Sequence, residues 1–305
     1  MANTKEIKSR MKSVQDTQKI TSAMYLIAST KMRRAKAELD DTRPYFEALK
    51  GEIKRVYRSV HNVQSRYFYP GEGEVQLHGP TACLVITADK GLAGMYNQNV
   101  IKKAEQQLAD NPDTQLFVVG EYGRQYFARH HIPIAKSFLY TAQNPTMQRA
   151  REISEVLLDL FDTGRIVKIY VIYTDMKNGL CEEAHEERLL PFRRQNFASH
   201  PHEAAVNKPF KFEPSVEQVL DNLIPSYVSG YIYSALVDSF CSEQNARMTA
   251  MNSANQNAEK ILAELNVEYN RIRQAAITQE ITEVSAGALA QKRNRQKKQK
   301  EVCGL

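Results

Sequence analysis

The stretch MTAMNSANQNAEKILAELNVEYNRIRQAA, residues 248–276, decides the fold of this chain. Its apolar and small residues recur at alternating spacings of three and four, which is typical of the seam of a coiled-coil helix. The members of this seam are Met248, Met251, Asn255, Ala258, Leu262, Leu265, Tyr269, Ile272 and Ala276. A helix with such a seam needs a second helix to cover it.

The first sixty residues offer that second helix. They contain almost no helix breaker before Pro44, and their apolar residues recur at helical spacing. The stripe is predicted to comprise Ile7, Met11 and Val14, followed by Ile20, Met24 and Ile27. We therefore predict that the two ends of the chain form a long antiparallel coiled coil.

The middle of the chain follows a different pattern. Residues 82–87 and 115–120 are short apolar runs of the buried-strand type, and each precedes a helical segment. A helix over 146–161 then precedes a strand over 167–173, and the segments 186–192 and 210–212 could add edge strands. This alternation predicts a parallel or mostly parallel sheet with covering helices, a Rossmann-like α/β domain inserted between the coiled-coil helices. The fold class is therefore mixed, with α+β and α/β features.

Breaks in these patterns divide the chain into four segments. They are an N-terminal coiled-coil helix 1–66, an α/β domain 75–213, a C-terminal coiled-coil helix 214–288 and a basic extension 289–305. Ser215 and Gln218 form a capping box that opens the C-terminal helix, which Pro225 should kink or restart. We expect this helix to stop or fray after Gly287. The extension is then a disordered, solvated tail, with an added bearing or brake as the alternative.

Composition limits the class of protein. The chain has 305 residues, 42% of them hydrophobic, and a net charge of +6. The positive charge is concentrated in the first helix, which favours an acidic partner, although a solvated helix face would look the same. No apolar run approaches the roughly 18 residues that span a bilayer, and the start lacks the apolar core of a secretory signal. We expect the chain to stay in the compartment where it is made.

Catalytic and ligand-binding motifs are missing. The loop 88–94 follows a strand and precedes a helix but matches neither GxGxxG nor GxxxxGK[ST], so a structural turn is a better interpretation than a nucleotide site. The pairs His130–His131 and His200–His202 have no third ligand at a suitable spacing. Cysteines at 83, 181, 241 and 303 form neither a disulfide framework nor a zinc motif, which favours a reducing compartment. We predict no cofactor, no metal and no catalytic site.

Three long blocks resemble the γ subunit of the F-type ATP synthase. They cover residues 6–35, residues 86–100, and residues 242–258 continuing into 269–288. The resemblance implies a non-catalytic central shaft that turns inside a ring of α and β subunits and couples proton flow through a membrane rotor ring to ATP synthesis on β. The middle domain also lacks the paired-cysteine insertion that marks the light-regulated plastid form, so we expect no thiol switch. The bare N-terminus fits a bacterial origin.

The resemblance also implies residue roles. It places Arg273, Gln274, Thr278 and Glu280 against a loop of the α/β ring, and Met24 against an acidic lever of β. It places Lys31, Arg33, Arg34 and Tyr227 near the ε subunit and the membrane c-ring. One copy per complex would then lie at the cytoplasmic face of the cell membrane as a peripheral protein, with no nucleic-acid partner.

Three alternatives remain open on the residues alone. An α/β enzyme with a helical arm would bind a ligand in the loop after Thr87. A coiled-coil nucleic-acid binder would lose affinity steeply with salt. A plain helical hairpin could serve as a spacer or dimer arm.

Overall fold

The computed structural model describes residues 4–59, 65–68, 77, 79–139, 142–175, 183–192, 212–213 and 215–302, with the backbone alone at 57–59 and 296–302. The chain divides into two compact units. The first contains residues 1–24 and 251–305, and the second contains residues 25–250.

Five helices and five strands are defined in the described residues. In chain order they are α1 (Thr4–Ser59), β1 (Thr81–Ile86), α2 (Tyr96–Asp110), β2 (Thr114–Val119), α3 (Glu121–Arg129), β3 (Ile134–Phe138), α4 (Met147–Asp162), β4 (Lys168–Thr174), β5 (Ala184–Leu190) and α5 (Val216–Val302).

The second unit is built on a sheet in the order β3-β2-β1-β4-β5. Strands β1 to β4 are mutually parallel and β5 runs antiparallel to β4, so the predicted mostly parallel sheet is confirmed. The predicted edge strand at 186–192 is β5, whereas β3 was not predicted. Of the proposed strand 210–212, only Phe212 is among the described residues, and it packs against the core.

Both faces of this sheet are covered, as a parallel sheet requires. Alternate residues of β1 point to opposite sides: Leu84 and Ile86 pack with residues of α1, α4 and α5, whereas Cys83 and Val85 pack with residues of α2 and α3. Within this unit α1 and α5 are antiparallel neighbours, because Met32 lies beside Cys241 and the Phe46 ring lies against Gly230. The α/β domain and the two long helices therefore share one core here.

The first unit is a two-stranded coiled coil. Met251, Ala258 and Leu265 of α5 are buried, as is Ile7 of α1. Gln18 Nε2 donates to Glu259 Oε1 at 3.4 Å and Thr21 Oγ1 donates to Asn255 Oδ1. Residues further along α1 therefore pair with residues earlier in α5, so the two helices are antiparallel. The predicted antiparallel pairing is confirmed.

The predicted stripe of α1 is wrong at Ile20 and Ile27, whereas Met24 is half-buried. Ile20 is 62% exposed and Ile27 is 56% exposed, whereas Thr21 is half-buried and Ala28 is buried. Keeping the alternating spacing of three and four from Ile7 leads to Thr21 and Ala28 rather than to the larger neighbours. The seam therefore admits small and polar residues, and large apolar side chains are left on the surface.

Helix α5 differs from its prediction at two points. It opens as expected, with the Gln218 N–H donating to Ser215 Oγ at 3.2 Å, but it continues through Pro225, so no restart occurs. It also continues through Gly287 as far as Val302, so the expected end at Gly287 and the disordered tail are wrong. A helix-interior glycine costs only about 1 kcal/mol relative to alanine, which is too little to end a helix between good helix formers.

Candidate partner-binding surfaces

The carboxyl edge of the sheet is where an open α/β fold would hold a ligand. In this chain that edge carries internal contacts. Asp89, which follows β1, accepts a hydrogen bond from the Glu121 N–H at 3.0 Å and so caps the amino end of α3. The Asp89 carboxylate therefore occupies the position in which a bound anion would meet this helix.

Glycines tighten the same edge. The Gly123 N–H donates to Thr87 Oγ1 at 3.0 Å, and a Cβ on Gly120 would lie 2.2 Å from the Thr87 carbonyl oxygen. Gly120 also has a φ of 96°, a conformation that favours glycine. The backbone at Gly120 and Gly123 therefore packs directly on Thr87, at a place where a phosphate-binding loop would need open space.

Helix α5 covers the edge from the other side. Ser242 Oγ donates to the Thr174 carbonyl oxygen at 3.3 Å, and the Arg247 guanidinium donates to the Gly91 carbonyl oxygen at 3.1 Å. Ala246 packs with Ala88, Ala93 and Tyr96. The loop after β1 therefore connects the sheet to α5, a contact that goes beyond the structural turn expected from the sequence.

A buried ion pair anchors this contact. Arg247 Nη2 and Glu243 Oε1 lie 2.6 Å apart, and the two side chains are only 11% and 7% exposed. Burial raises the pKa of Glu243, and the neighbouring Arg247 opposes that shift. The pair keeps the arginine aimed at Gly91, little more than one turn along α5 from Ser242 at the sheet edge.

Nothing else in the structure as described suggests a chemical centre. The described residues contain no group of three or more His, Cys, Asp or Glu side chains that could hold a metal ion. Within the same ranges, no helix combines the length and the apolar character needed to cross a membrane.

The most accessible surface of the first unit is the end of α5. The seam is half-buried at Tyr269 and Ile272, and every described side chain from Arg273 to Arg295 is exposed. Arg273, Gln274, Thr278 and Glu280, which the resemblance assigns to a partner contact, all lie in this segment. These four residues are therefore brought together on one exposed length of helix.

The same segment exposes large apolar side chains, which sequence reasoning missed. Ile277, Ile281 and Val284 are 43%, 61% and 73% exposed, and Leu289 is 63% exposed. At 3.6 residues per turn, Ile277, Ile281 and Val284 fall on one side of the helix. We call these three residues the apolar stripe. The sequence does contain a signal for this stripe. Apolar residues still recur at spacings of four and three beyond the seam, but the series begins one residue after Ala276, at Ile277.

The assigned polar residues border the apolar stripe. Helical spacing places Arg273 and Glu280 along one side of it and Gln274 and Thr278 along the other. The opposite side of the helix carries small or polar residues, among them Ala275, Gln279, Thr282 and Ala286. The end of α5 therefore presents clearly different faces to its surroundings, and an exposed apolar stripe with a polar border is typical of a protein interface.

The remaining assigned residues are distributed over α1 and α5. Met24 is half-buried, whereas Lys31, Arg33 and Arg34 are exposed, and Arg34 pairs with Glu38 at 3.0 Å. Tyr227 differs, because its ring is 9% exposed and packs on Phe192, and burial raises its pKa to about 12. Its position in the core gives Tyr227 a structural role that the sequence did not predict, so we leave it out of the interface.

Comparison with known proteins gives a consistent result. Residues 3–290 match the family described as ATP synthase. The chain is 42% identical over 296 residues to the ATP synthase gamma chain of Ruminiclostridium cellulolyticum, an alignment that covers 94% of this chain and 98% of the relative. It is 36% identical over 302 residues to the sodium ion specific ATP synthase gamma chain of Acetobacterium woodii, again covering 94% and 98%.

A solved structure agrees in fold. The central stalk of the Tetrahymena thermophila mitochondrial ATP synthase, solved with its c-ring, superposes with a TM-score of 0.60 at 25% identity and covers 77% of this chain and 99% of that one. These matches establish that the chain belongs to the ATP synthase γ-chain family.

Proposed function

We propose that this chain is the rotor of an F-type ATP synthase. As a non-catalytic subunit present once per complex, it turns inside a ring of α and β subunits. It couples ion flow through a membrane c-ring to ATP synthesis on β. The observation that carries this proposal is the exposed end of α5, where an apolar stripe with a polar border continues beyond the cover of α1.

The exposed end of α5, with an apolar stripe on one side and small or polar residues on the other, favours a partner that surrounds the helix. Exposed apolar side chains in a row are stabilised by burial, at about 25 cal/mol per Å² removed from water. The opposite side of the same helix is small and polar, so it can pass a neighbouring surface with little attraction. A ring around this helix would therefore meet different chemistry at each angle.

That asymmetry supplies a mechanism. When the apolar stripe and Arg273 face one β subunit, the other two β subunits meet the small and polar sides of α5. Each β subunit is then held in a different nucleotide state, and rotation exchanges the states in turn. Each charge crossing 100 mV supplies about 2.3 kcal/mol, so a few ions per step provide on the order of 10 kcal/mol.

The basic surface of α1 fits a second contact. Lys31 and Arg33 are exposed on the second unit, and Leu26 and Ile27 beside them are 65% and 56% exposed. We assign Lys31, Arg33 and Arg34 to a contact with the ε subunit and the c-ring, because cations steer and orient association with acidic surfaces. Met24, at the end of the first unit, is assigned to the acidic lever of β.

The coupling ion and the location belong to the same proposal. We take protons as the coupling ion, and the sodium ion specific relative makes Na⁺ the alternative to test. The chain would lie at the cytoplasmic face of a bacterial membrane as a peripheral subunit. ATP synthesis by membrane vesicles at a fixed potential, with sodium present or absent, distinguishes the two ions.

Co-expression tests the proposal. The full chain is produced with α and β subunits, and native mass spectrometry counts its copies in any ATP-hydrolysing complex. One copy per complex with three β subunits supports the proposal, whereas a chain that stays alone contradicts it. Dinucleotide binding by the isolated chain would instead favour an α/β enzyme.

A further inference from the structure

The apolar stripe lies on a side of α5 that α1 does not cover. Thr21 pairs with Asn255, and extending this antiparallel register places Thr4, where α1 begins, beside Ile272. The stripe begins beyond that point, at Ile277. It also begins one residue later than the spacing of the seam requires, which turns it by about 100° around the helix. The stripe is therefore a separate surface and not an uncovered end of the seam.

The spacing of the stripe is that of a second coiled-coil seam. Ile277, Ile281, Val284 and Ala288 follow one another at intervals of four, three and four residues, and the next position, Gln291, is polar. The three large side chains are 43%, 61% and 73% exposed. Alternating intervals of three and four match the side chains of another helix, in which they insert as knobs into holes. The stripe therefore calls for a helix as its cover.

A second copy of this chain supplies a helix with the same spacing. In an antiparallel pair, residues 273–292 of one copy lie against residues 292–273 of the other. Ile281 of each copy then faces Val284 of the other, and Ile277 faces Ala288, so that large side chains meet smaller ones. Helix α1 of each copy starts where this overlap ends and covers a side of α5 about 100° away. The two coiled coils therefore do not collide.

The polar border of the stripe is compatible with the same pairing. A two-fold axis between the helices brings the same border of each copy together. In the register given above, Arg273 of one copy faces Gln291 of the other, and Gln274 faces Lys292. Each of these pairs combines a cation with a neutral amide, so these four positions bring no like charges together.

The size of the paired surface sets the strength of the contact. Two helix faces of about 20 residues bury on the order of 1,000 Å² together, which is near the lower limit for a specific interface. We propose that the free chain forms a weak antiparallel dimer through the apolar stripe, with a second copy of this chain as the partner. In the proposed rotor the ring covers the same stripe. The dimer is therefore a state of the chain before assembly, in which the stripe is kept from water.

Sedimentation equilibrium of the full chain, without α and β subunits, tests this proposal. The average mass should rise from that of one chain towards that of two as the concentration increases to about 100 µM. Ile281→Gln removes a central side chain of the stripe from both copies, so we expect it to raise the dissociation constant at least about tenfold. Circular dichroism checks that the helix content is unchanged.

Leu289→Gln is the matched control. Leu289 is as exposed as Ile281, at 63% against 61%, but it lies about 120° around the helix from Ile277 and so outside the stripe. This variant removes a similar amount of exposed apolar surface, so general hydrophobic association would weaken as much as in Ile281→Gln. Pairing through the stripe should instead leave its dissociation constant at the native value.

Crosslinking reports the orientation of the pair. The background carries Cys181→Ser and Cys303→Ser, and both remaining cysteines are buried. In the antiparallel register, Ile281→Cys places two thiols three residues apart along the axis, about 4.5 Å, and a short bismaleimide should link them. Ile277→Cys places them eleven residues apart, about 16 Å, and should give no link.

The contrary outcomes are distinct. A chain that stays monomeric over the whole concentration range would overturn the proposal. Equal weakening by Ile281→Gln and Leu289→Gln would show general hydrophobic association instead, and equal linking by Ile277→Cys and Ile281→Cys would show a parallel pair. Binding of the monomeric chain to phospholipid vesicles through the stripe would also overturn it. Each of these results leaves the proposed function standing, because assembly with α and β subunits is measured separately.

Discussion

The Thr21 hydroxyl donates a hydrogen bond to the Asn255 side-chain oxygen across the seam of the coiled coil. Both side chains are half-buried, and each lies where a purely apolar seam would have a large aliphatic residue. A polar pair at such positions selects one alignment of the helices, because any slip leaves a half-buried amide without its partner.

A double-mutant cycle measures this pair. Thr21→Val alone should lower the free energy of unfolding by about 1 kcal/mol, because it leaves the Asn255 amide without its partner. Thr21→Val combined with Asn255→Leu should recover that loss, since both polar groups are gone. Urea unfolding of the four proteins gives the coupling energy, and strictly additive effects would contradict the pairing.

The contact between Phe46 and Gly230 predicts the effect of a single methyl group. A Cβ on Gly230 would lie 2.0 Å from the Phe46 ring, so Gly230→Ala should force α1 and α5 apart and cost about 1 to 3 kcal/mol. Gly51→Ala is the matched control, because nothing lies within 4 Å of a Cβ there and the helix should gain up to about 1 kcal/mol. Thermal unfolding of the two variants makes the comparison. Equal changes in melting temperature would contradict the close contact between Phe46 and Gly230.

The buried pair Arg247–Glu243 predicts an asymmetry between single and double changes. Arg247→Met leaves the Glu243 carboxylate buried without its cation and should cost about 3 to 5 kcal/mol. Changing both residues to Met removes the stranded charge, so the double variant should be clearly more stable than Arg247→Met. Denaturant unfolding of the native chain, both single variants and the double variant measures these differences. If the double variant loses as much free energy of unfolding as the two single variants combined, the residues are not paired.

Asp238 predicts a pH dependence. Burial, followed by the charge of Asp175, raises its pKa from an ordinary value of 3.8 to about 7, and Arg43 partly opposes the shift. The folded chain then holds this proton more tightly than the unfolded chain. Stability due to Asp238 is therefore complete below about pH 4 and is lost progressively as the pH rises from 4 through 7, by on the order of 4 kcal/mol.

The variant Asp238→Asn isolates this effect, because the amide stays neutral. It should be closest to the native chain below about pH 4 and should exceed it in stability at pH 8. Urea unfolding at the two pH values makes the comparison. A stability difference that is the same at both would show that Asp238 does not titrate in this range.

The exposed end of α5 predicts a loss of coupling without a loss of stability. Arg273→Ala or Gln274→Ala should lower ATP synthesis per assembled complex several-fold, because both residues border the apolar stripe. Exposed positions change stability by less than about 0.5 kcal/mol, so the melting temperature should hardly move. Gln279→Ala, on the opposite side of the helix, is the control. A fall in melting temperature with normal turnover would contradict the assignment.

Sequence reasoning succeeded where one period repeats over many residues. The seam from Met251 to Ile272 and the apolar runs of β1, β2 and β4 are signals of that kind. It missed β3, because IAKSF at 134–138 is a short edge strand that carries Lys136 and Ser137 and leaves both exposed or half-buried. An edge strand needs no continuous apolar run, so its pattern is weak.

Other features depend on partners that lie far apart in the chain. Nothing near Arg247 indicates that its guanidinium reaches Gly91, and nothing near Asp89 indicates that it caps α3. The seam at Thr21 and Ala28 was missed because Ile20 and Ile27 are more apolar, although they belong to the surface. Where large apolar residues lie on the surface rather than in the core, hydrophobicity alone predicts the wrong face.

The most direct test is to watch the chain turn. The α and β subunits are fixed to a surface, and a bead is attached to the second unit of this chain in the assembled complex. On addition of ATP, we expect the bead to rotate in one direction in discrete steps, at a rate set by hydrolysis. A complex that hydrolyses ATP while the bead stays at one angle would contradict the claim that this chain is the rotor.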